Sequence, residues 1–384
     1  MVRAAGRELG WNQPPSSQVR TATRRLHPEV RTTPDVTSLT RSSRAARRLG
    51  AVALAASLAA TVSGCAADAA PSGDADGFGT AEIQLSWLKN QQFAGTYFAD
   101  ADGFFADAGF DAVTLTAGGS GATSAEAAVT TGKALVGISA PLITAPAIAQ
   151  GAEAKIVGTL YQRNPFSVVS SADAPLTSAA DLVGKTIAVS DSNTLVWGAF
   201  LAANDLGQDD VTTVPLSDTS MLTTGQVDGY LGYTTSGSAA LTASGFPAVE
   251  FLLADEGLPM LGESLIASQD AIDNDRERLV AMLTALVRGW NAAIDDPERA
   301  VELTVDEYGA DQEYDPEAIA LAVAAQEPLI VTEETEENGL LTISEELQQA
   351  TVDSLALADI DIEAADLFDL SLLEDVYEEN PDLR

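Results

Sequence analysis

The sequence predicts an α/β fold with two sheet-containing lobes and a helical last third. Short apolar segments with a period of two alternate with helical segments between residues 83 and 161, and glycines stand at most of the breaks. A second alternating set begins near residue 172 and ends near residues 257–262, and residues 265–268 are expected to return to the first sheet. Because strands that alternate with helices are typical of parallel sheets, we expect a mostly parallel sheet flanked by helices in each lobe.

The first lobe is predicted to begin with a strand and a polar turn. Ile83, Leu85 and Trp87 alternate with polar residues, as in a half-buried strand, and the polar run 89–92 precedes a helical segment from Phe93. The predicted elements that follow are a helix at 100–108, a strand at 112–116, a helix at 124–131, a strand at 134–139, a helix at 142–150 and a strand at 154–161.

Glycines cluster after the second predicted strand, at residues 118–121. The cluster lacks the G-x-G-x-x-G spacing of a dinucleotide site and the lysine of a P-loop. We therefore prefer close packing, or the approach of backbone to a ligand, over a phosphate-binding loop.

The second lobe and the tail follow the same kind of pattern. After an extended segment at 166–171, the predicted elements are a helical turn at 177–183, a strand at 185–190, a helix at 194–206 and strands at 211–215 and 227–233. The last third is predicted to hold helices at 275–294, 297–308, 316–325 and 344–357. The first of these four has an amphipathic face, which is expected to pack on the sheet.

The charge is strongly negative and unevenly distributed. The chain of 384 residues has a formal net charge of −37, but residues 1–64 hold ten arginines and three acidic residues. The rest of the chain therefore has ten basic and 54 acidic residues, a net charge of −44. Nucleic acids and anionic membrane surfaces require Lys or Arg to neutralise phosphate, so neither is an expected partner. Such a charge favours solubility in a salty or extracellular medium.

The chain has one cysteine, Cys65, and one histidine, His27. If the chain is cleaved before Cys65, the mature protein has no histidine, which excludes histidine-based triads, His–Cys pairs and zinc sites that contain histidine. It also has no disulfide, so its core alone must stabilise a secreted form.

The N-terminal region is interpreted as a targeting segment. A basic stretch at 41–48 precedes about fourteen small or apolar residues at 49–62, which are too few to span a membrane. The sequence Val-Ser-Gly-Cys at 62–65 then resembles the lipobox of bacterial lipoproteins, in which the cysteine is lipidated; the alternative is an ordinary signal peptide with a chance cysteine. Residues 1–40 are either a disordered extension or the result of a start codon placed too far upstream.

These observations divide the chain into four predicted parts. Residues 1–64 are the extension and the lipoprotein signal peptide, and residues 65–80 form a flexible tether. Lobe 1 comprises residues 81–171 and 263–384, and lobe 2 comprises residues 172–262. We expect a monomer attached through Cys65 to the outer face of a membrane, which requires more than one acyl chain for stable anchoring.

Four segments resemble those of a known family in the right order. They are WLKNQQFAGTYFA at 87–99, DGFFADAGFD at 102–111, DLVGKTIAV at 181–189 and VDGYLGY at 227–233. Together they resemble the NMT1/THI5-like solute-binding proteins of ABC importers, from about residue 82 to residue 359. The opening segment, with 161–165 and 232–234, is more similar to the pyrimidine and riboflavin branch than to the sulfonate branch.

The resemblance implies a two-lobe periplasmic-binding-protein fold of type II, with the ligand in a cleft between the lobes. Hinge closure around the ligand then signals occupancy to a membrane permease. It implies no cofactor, no metal ion and no catalysis. The expected function is delivery of a small heteroaromatic nutrient, such as a thiamine-pyrimidine precursor or a riboflavin-like compound, to an ABC importer.

Two departures from the family pattern bear on the ligand. Relatives that bind thiamine pyrimidines usually carry a histidine in the opening segment, where this chain has Gln92 or Phe93. The related pyrimidine synthase uses a histidine and a cysteine-rich segment, and the mature chain has neither. In the second lobe, Thr235 and Ser236 stand where the family often has Asn-Glu.

The candidate ligand-binding residues follow predicted strands or lie near the return to lobe 1. Trp87 and Phe93 are candidates for stacking on a flat ring, with core packing as the alternative. The amides at 90–92 can donate and accept hydrogen bonds, or face solvent. The full set is Trp87, Asn90, Gln91, Gln92, Phe93, Ser139, Tyr161, Gln162, Ser190, Asp191, Asn193, Trp197, Tyr230, Tyr233 and Glu263.

Other functions remain as alternatives. An alkanesulfonate or nitrate receptor would need a basic or N–H-rich pocket, which ten basic residues supply poorly. A pyrimidine-processing enzyme would need a nucleophile or general base, and no such motif is present. A sensor or adhesive surface lipoprotein with the same fold is compatible with the sequence.

Overall fold

The computed structural model describes residues 77–207 and 209–384. The predicted signal peptide, Cys65 and residues 66–76 of the predicted tether lie outside these residues, and the last two tether residues, 79 and 80, belong instead to the first strand. The strands are β1 (Gly79–Gln84), β2 (Phe110–Thr116), β3 (Val136–Ser139), β4 (Ala154–Thr159), β5 (Phe166–Ser171), β6 (Thr186–Val189), β7 (Thr212–Pro215), β8 (Gly229–Tyr233), β9 (Ala248–Leu252) and β10 (Ser264–Ser268).

Helices separate most of the strands and make up the last third of the chain. The α-helices are α1 (Ala94–Ala101), α2 (Phe104–Asp107), α3 (Ala125–Thr130), α4 (Pro141–Ala149), α5 (Thr194–Ala203), α6 (Ser220–Thr223), α7 (Gly237–Ala243), α8 (Gln269–Asn274), α9 (Arg276–Asp295), α10 (Pro297–Glu302), α11 (Pro316–Ile330), α12 (Glu333–Asn338), α13 (Glu345–Ala356), α14 (Ala364–Leu367) and α15 (Ser371–Glu379). Short 3₁₀ turns include Gln91–Phe93, Ala179–Leu182, Asp191–Asn193 and Leu253–Asp255, and Leu303–Tyr308 is a π-helix.

The strands form two five-stranded sheets with the same plan. The first has the order β2-β1-β3-β10-β4 and the second the order β7-β6-β8-β5-β9. In each sheet four strands run in one direction and one is reversed: β10 is antiparallel to β3 and β4, and β5 is antiparallel to β8 and β9. The predicted α/β class with two mostly parallel sheets is therefore confirmed.

Each reversed strand lies next to a crossover between the sheets. The chain passes from β4 to β5 through residues 160–165, and it returns from β9 to β10 through residues 253–263. The two crossovers are hydrogen-bonded to each other, since the Leu160 N–H donates to the Glu263 carbonyl at 2.7 Å and the Asn164 N–H donates to the Met260 carbonyl at 2.8 Å. A Cβ at Gly262 would lie 2.9 Å from Pro165 Cδ, so this close approach requires glycine.

The strand β5 belongs to a different lobe from the one predicted. The sequence places residues 166–171 in lobe 1 because the second alternating set begins near residue 172, but β5 pairs with β8 and β9 in the second sheet. We therefore use lobe 1 for residues 77–159 and 264–384, and lobe 2 for residues 166–252. The return of the chain through β10 agrees with the predicted strand at 265–268.

The C-terminal helices pack on lobe 1 and on the crossovers. Tyr161 donates its hydroxyl hydrogen to Gln326 Oε1 in α11 at 3.2 Å, and the Gln162 N–H donates to the Leu329 carbonyl at 2.7 Å. From α13, Ser354 donates to the Pro259 carbonyl at 2.6 Å. The amphipathic face predicted for 275–294 is buried in α9, against α1 and the first sheet. Both crossovers are thus held by lobe 1.

Candidate functional site

The carboxyl ends of the parallel strands in both sheets lie at the crossovers. In the first sheet, Ser264 at the start of β10 pairs with Ser139 and Thr159 at the ends of β3 and β4. In the second sheet, Phe166 at the start of β5 pairs with Tyr233 at the end of β8. Ligands of open α/β sheets bind outside the carboxyl ends of their strands. We call the two crossovers and the residues that follow the carboxyl ends of the parallel strands the interlobe region.

Glu263 is a buried carboxylate in the second crossover, directly before β10. Its side chain is 7% exposed, and its Oε2 accepts a hydrogen bond of 2.9 Å from Ser86, the second residue after β1. Burial raises the pKa of Glu263 to about 7, and the hydrogen bond from Ser86 acts in the opposite direction. Ser86 is a contact that the sequence prediction missed, since nothing in a half-buried strand pattern singles out one serine.

Two predicted tyrosines lie close to Glu263. Burial raises the pKa of Tyr161, and the charge of Glu263 raises it further; the same two causes act on Tyr233. Tyr161 is fully buried, whereas Tyr233 is half-buried and packs edge-on against Phe166, with ring centroids 4.6 Å apart. The structure therefore brings together Glu263 and two of the predicted tyrosines, from both crossovers and from β8.

Trp87 is the exposed aromatic residue of lobe 1. It is the third residue after β1 and is 49% exposed, and its carbonyl accepts a 2.9 Å hydrogen bond from the Gly118 N–H. A Cβ at Gly118 would collide with the backbone of Leu85 and Ser86, so the glycine cluster packs closely against the end of β1. Trp87 is thus held at the interlobe end of the sheet with a free face, as a stacking residue requires.

The three predicted amides have different surroundings. Asn90 and Gln92 bind each other, since Asn90 Nδ2 donates to Gln92 Oε1 at 3.1 Å and Asn90 Oδ1 accepts from the Gln92 N–H at 3.0 Å. Gln91 instead reaches lobe 2, where its Nε2 donates to the Thr235 carbonyl at 3.1 Å. Within the described residues, this is the one direct hydrogen bond between lobe 1 and lobe 2. Asn90 and Gln92 therefore shape the turn, and Gln91 joins the lobes.

The loop that Gln91 contacts is fixed by a second carboxylate. Glu250 in β9 accepts hydrogen bonds from Ser167 at 2.8 Å, from Ser238 at 2.7 Å and from Thr234. Thr235, the position of a family departure, is fully buried, and its carbonyl makes the contact to Gln91. We call residues 234–238 the clamped loop.

Three predicted aromatic residues lie in hydrophobic cores, which is the alternative that the sequence left open for Phe93. Phe93 is fully buried in the core of lobe 1, among side chains of α1 and α9. Trp197 is buried in lobe 2 with its Nε1 donating to Thr213 at 2.9 Å. Tyr230 is buried against Val169, and burial raises the pKa of its hydroxyl. None of these rings offers a free face in this conformation.

Two predicted polar residues are also used within the fold. Gln162 donates from Nε2 to the Thr342 carbonyl at 2.7 Å, toward the C-terminal helices. Ser139 donates to Glu126 in α3, which also accepts from Thr144 at 2.9 Å. Glu126 is almost fully buried and was not predicted, because its partners are 13 and 18 residues away and only the packing of α3 and α4 brings them together.

The remaining predicted residues form the loop between β6 and α5. Ser190 and Asn193 are half-buried and Asp191 is exposed, and the Ser190 and Ser192 hydroxyl oxygens lie 3.0 Å apart. The loop follows the carboxyl end of β6, so it lies at the interlobe end of the second sheet as predicted.

Cations are scarce in this part of the molecule. Lys185 is the one basic residue of lobe 2, and it precedes β6 at the end of the sheet away from the crossovers. Arg163 in the first crossover pairs with Asp255 in the second, and Lys89 lies over the Tyr308 ring. Within residues 77–207 and 209–384, no lysine or arginine forms an ion pair with Glu263.

Two cavities lie elsewhere in lobe 1. One of about 500 Å³ lies between the end of α4, the start of β4 and residues 361–366, and one of about 450 Å³ lies near the start of β1 and α9. Neither contains a predicted site residue. Across residues 77–207 and 209–384, no group of three or more His, Cys, Asp or Glu side chains is arranged to hold a metal ion. Nor does any helix there combine the length and apolarity that crossing a membrane requires.

The NMT1/THI5-like family matches residues 90–300 of the chain. The chain belongs to this family. The match covers the crossovers, lobe 2 and most of the interlobe residues. It confirms the resemblance inferred from the four segments of sequence.

One curated relative and two solved structures are informative. The riboflavin-binding protein RibY of Chloroflexus aurantiacus is 28% identical over 236 residues, which are 58% of this chain and 65% of that protein. The chain thus matches less than two thirds of that relative's length. The periplasmic aliphatic sulphonate binding protein SsuA from Escherichia coli is similar with a TM-score of 0.57 at 14% identity, over 76% of this chain and 91% of that chain.

The alkanesulfonate-binding protein SsuA from Xanthomonas axonopodis, bound to MOPS, has a TM-score of 0.51 at 19% identity, over 74% of this chain and 95% of that chain. At these identities the two SsuA structures show the fold alone. They confirm the predicted periplasmic-binding-protein fold.

Proposed function

We propose that this chain is an extracytoplasmic solute-binding protein that delivers a small heteroaromatic nutrient to an ABC importer. The single observation that carries the proposal is the exposed indole of Trp87, which directly follows Ser86, the residue whose hydroxyl donates to the buried Glu263 in the second crossover. An aromatic wall in one lobe and polar groups at the junction suit a flat ring with polar edges.

Membership of the NMT1/THI5-like family supports solute binding, and the two crossovers support hinge closure. A ligand that contacts both lobes stabilises the closed state, because it has more contacts there than in the open state. The proposed ligand is riboflavin-like or related to a thiamine pyrimidine. The relative that carries the name riboflavin-binding protein supports the first of these.

An alkanesulfonate or nitrate ligand is the second candidate, and the fold of the SsuA structures is what favours it. Such anions require charged or N–H donors. Arg163 is paired with Asp255, and Lys185 lies at the far end of the second sheet, so the interlobe region supplies few of them. The heteroaromatic ligand is therefore the better-supported proposal.

We also propose that the chain is not an enzyme. A hydrolase or transferase would need a nucleophile with an adjacent base. Glu263 is the buried carboxyl of the second crossover, and among the described residues its side chain has one hydrogen-bond partner, the Ser86 hydroxyl, which is not a base. Lipidation of Cys65, attachment to the outer face of the membrane and docking to a permease complete the proposal and rest on the sequence.

A thermal-shift panel tests the ligand class. The purified protein is heated with riboflavin, hydroxymethylpyrimidine, taurine or nitrate, and a ligand at one hundred times its Kd should raise the free energy of unfolding by about 2.7 kcal/mol. We expect a shift with a ring compound. A shift with taurine or nitrate alone would contradict the proposed ligand class and favour the second candidate.

A further inference from the structure

Glu263 has one hydrogen-bonded oxygen and one open oxygen. Oε2 accepts from Ser86 at 2.9 Å, and the described residues give Oε1 no hydrogen-bond partner. The backbone of the same residue is fixed, because its carbonyl accepts from the N–H groups of Leu160 and Tyr161 at 2.7 and 3.2 Å and from the Thr159 hydroxyl at 2.9 Å. A rigidly placed carboxylate with a free oxygen is therefore present where the lobes meet.

The groups that face Glu263 do not neutralise its charge. They are Ser86 from the end of β1, Tyr161 from the first crossover and Tyr233 from β8. Burial raises the pKa of Glu263 to about 7, so the carboxyl changes charge near neutral pH. A buried carboxylate is costly unless a donor satisfies it, and the protein supplies one hydroxyl.

We propose that Glu263 selects the ligand by accepting a hydrogen bond from a ring N–H or amino group, so that the ligands are neutral or cationic heterocycles with such a donor edge. This inference rests on the proposed binding of a ring-bearing solute and adds which edge of the ring is recognised. It also excludes anions, since a sulfonate or nitrate would bring acceptor oxygens against the carboxylate.

The test compares the Glu263→Gln variant of the full chain with wild type. Isothermal titration calorimetry measures the affinity for riboflavin, which has a ring N–H, and for riboflavin methylated at that nitrogen. We expect E263Q to lower the riboflavin affinity about tenfold or more, because the charged acceptor is lost. Methylation should lower the wild-type affinity by a similar factor and the E263Q affinity much less, because both changes remove the same contact.

A pH profile gives a second readout that a purely structural role would not produce. Wild-type affinity for riboflavin should rise as the pH increases through about 7, because the ionised carboxylate is the better acceptor. The profile of E263Q should be flat. The matched control is Glu256→Gln in the same crossover, whose carboxylate accepts from the Ala179 N–H at 3.1 Å in lobe 2, and it should bind as wild type does.

The outcomes separate this inference from the proposed function. If wild type binds riboflavin or hydroxymethylpyrimidine and E263Q binds them equally well at every pH, the inference is overturned and the proposed function stands. If taurine or nitrate binds wild type, the exclusion of anions is wrong. If no ring compound binds wild type, the proposed function fails and the inference fails with it. Melting curves of both variants establish that they are folded.

Discussion

Lobe 1 and lobe 2 share one strand order but differ at their interlobe ends. In both, the parallel strands follow the order second, first, third and fourth, with the reversed strand between the last two. Lobe 1 presents an exposed indole, Trp87, and the amide of Gln91. Lobe 2 presents the hydroxyl-rich clamped loop around Glu250 and the exposed Asp191, while its own tryptophan is buried.

Under the proposed function, this difference divides the binding task between the two lobes. A ring would first bind the exposed indole of lobe 1, and the polar groups of lobe 2 would contact it as the lobes close. Glu263 belongs to neither lobe, because it lies in the second crossover. Its carboxylate accepts a hydrogen bond from Ser86 in lobe 1, and its charge raises the pKa of Tyr233 in lobe 2.

The largest expected effect comes from the residue between the lobes. The folded-state pKa of Glu263 is about 7, above its ordinary value of 4.5, so the unfolded chain loses this proton first as the pH rises. The free energy of unfolding should therefore fall between about pH 4.5 and 7, by roughly 3 kcal/mol in the ligand-free protein. Glu263→Gln should remove this part of the decline. Urea unfolding of both proteins at several pH values measures it, and equal declines would contradict the assignment.

The second prediction concerns the polar half of the comparison. Glu250→Ala leaves the hydroxyls of Ser167, Thr234 and Ser238 without their acceptor, and we expect a loss of about 2 kcal/mol in the free energy of unfolding. Hydrogen exchange should also increase in the clamped loop. Ser238→Ala removes one donor and is the milder control. Unchanged exchange in E250A would mean that the carboxylate does not fix the loop.

The third prediction tests the aromatic half. Trp87→Ala should weaken binding of a ring-bearing ligand about tenfold, or roughly 1.4 kcal/mol, with little change in melting temperature because the indole is exposed. Trp197→Phe should lower the melting temperature with little change in ligand affinity, since it loses the hydrogen bond to Thr213 inside lobe 2. Calorimetry measures the ligand affinity of both variants, and thermal melts measure their stability. Binding by W87A as tight as that of wild type would contradict the stacking role.

The smallest expected effect concerns the direct bond between the lobes. Gln91→Ala should lower the free energy of unfolding by about 1 kcal/mol, because the buried Thr235 carbonyl loses its donor. The Thr234 N–H donates to the Pro165 carbonyl in the first crossover at 2.9 Å, so the contact of Gln91 lies near the hinge. Loss of this contact should broaden the range of lobe orientations. Small-angle scattering should show this broadening. Gln92→Ala, which alters an amide bonded within lobe 1, should leave the scattering unchanged.

Much of the fold could be predicted because its signals are local. The sequence pattern predicted strands at the positions of β1 to β8 and of β10, and the amphipathic face of α9 was evident from residues 279–290. The segment 234–252 was missed as a source of α7 and β9, because its small residues and threonines give neither period clearly. The membership of β5 in the second sheet depends on strand pairing, which neighbouring residues along the chain do not reveal.

The site was predicted less completely, for a physical reason. A residue after a strand can turn toward the ligand or toward a helix, and both choices bury an aromatic ring. Trp87 is exposed, whereas Phe93, six residues later in the same polar turn, is buried in the core of lobe 1. Ser86, Glu126 and Glu250 acquire their roles only through partners distant in sequence.

The position of β10 has a consequence for how the chain acquires its structure. All strands of lobe 2 lie within residues 166–252, so that sheet can form as soon as this segment has emerged from the machinery that synthesises or exports it. The lobe 1 sheet needs β10 between β3 and β4, and β10 comes after the whole of lobe 2. The sheet of lobe 1 can therefore be completed only after lobe 2 has been synthesised. A chain that stops before residue 264 leaves two unpaired strand edges, at β3 and β4, which favour aggregation.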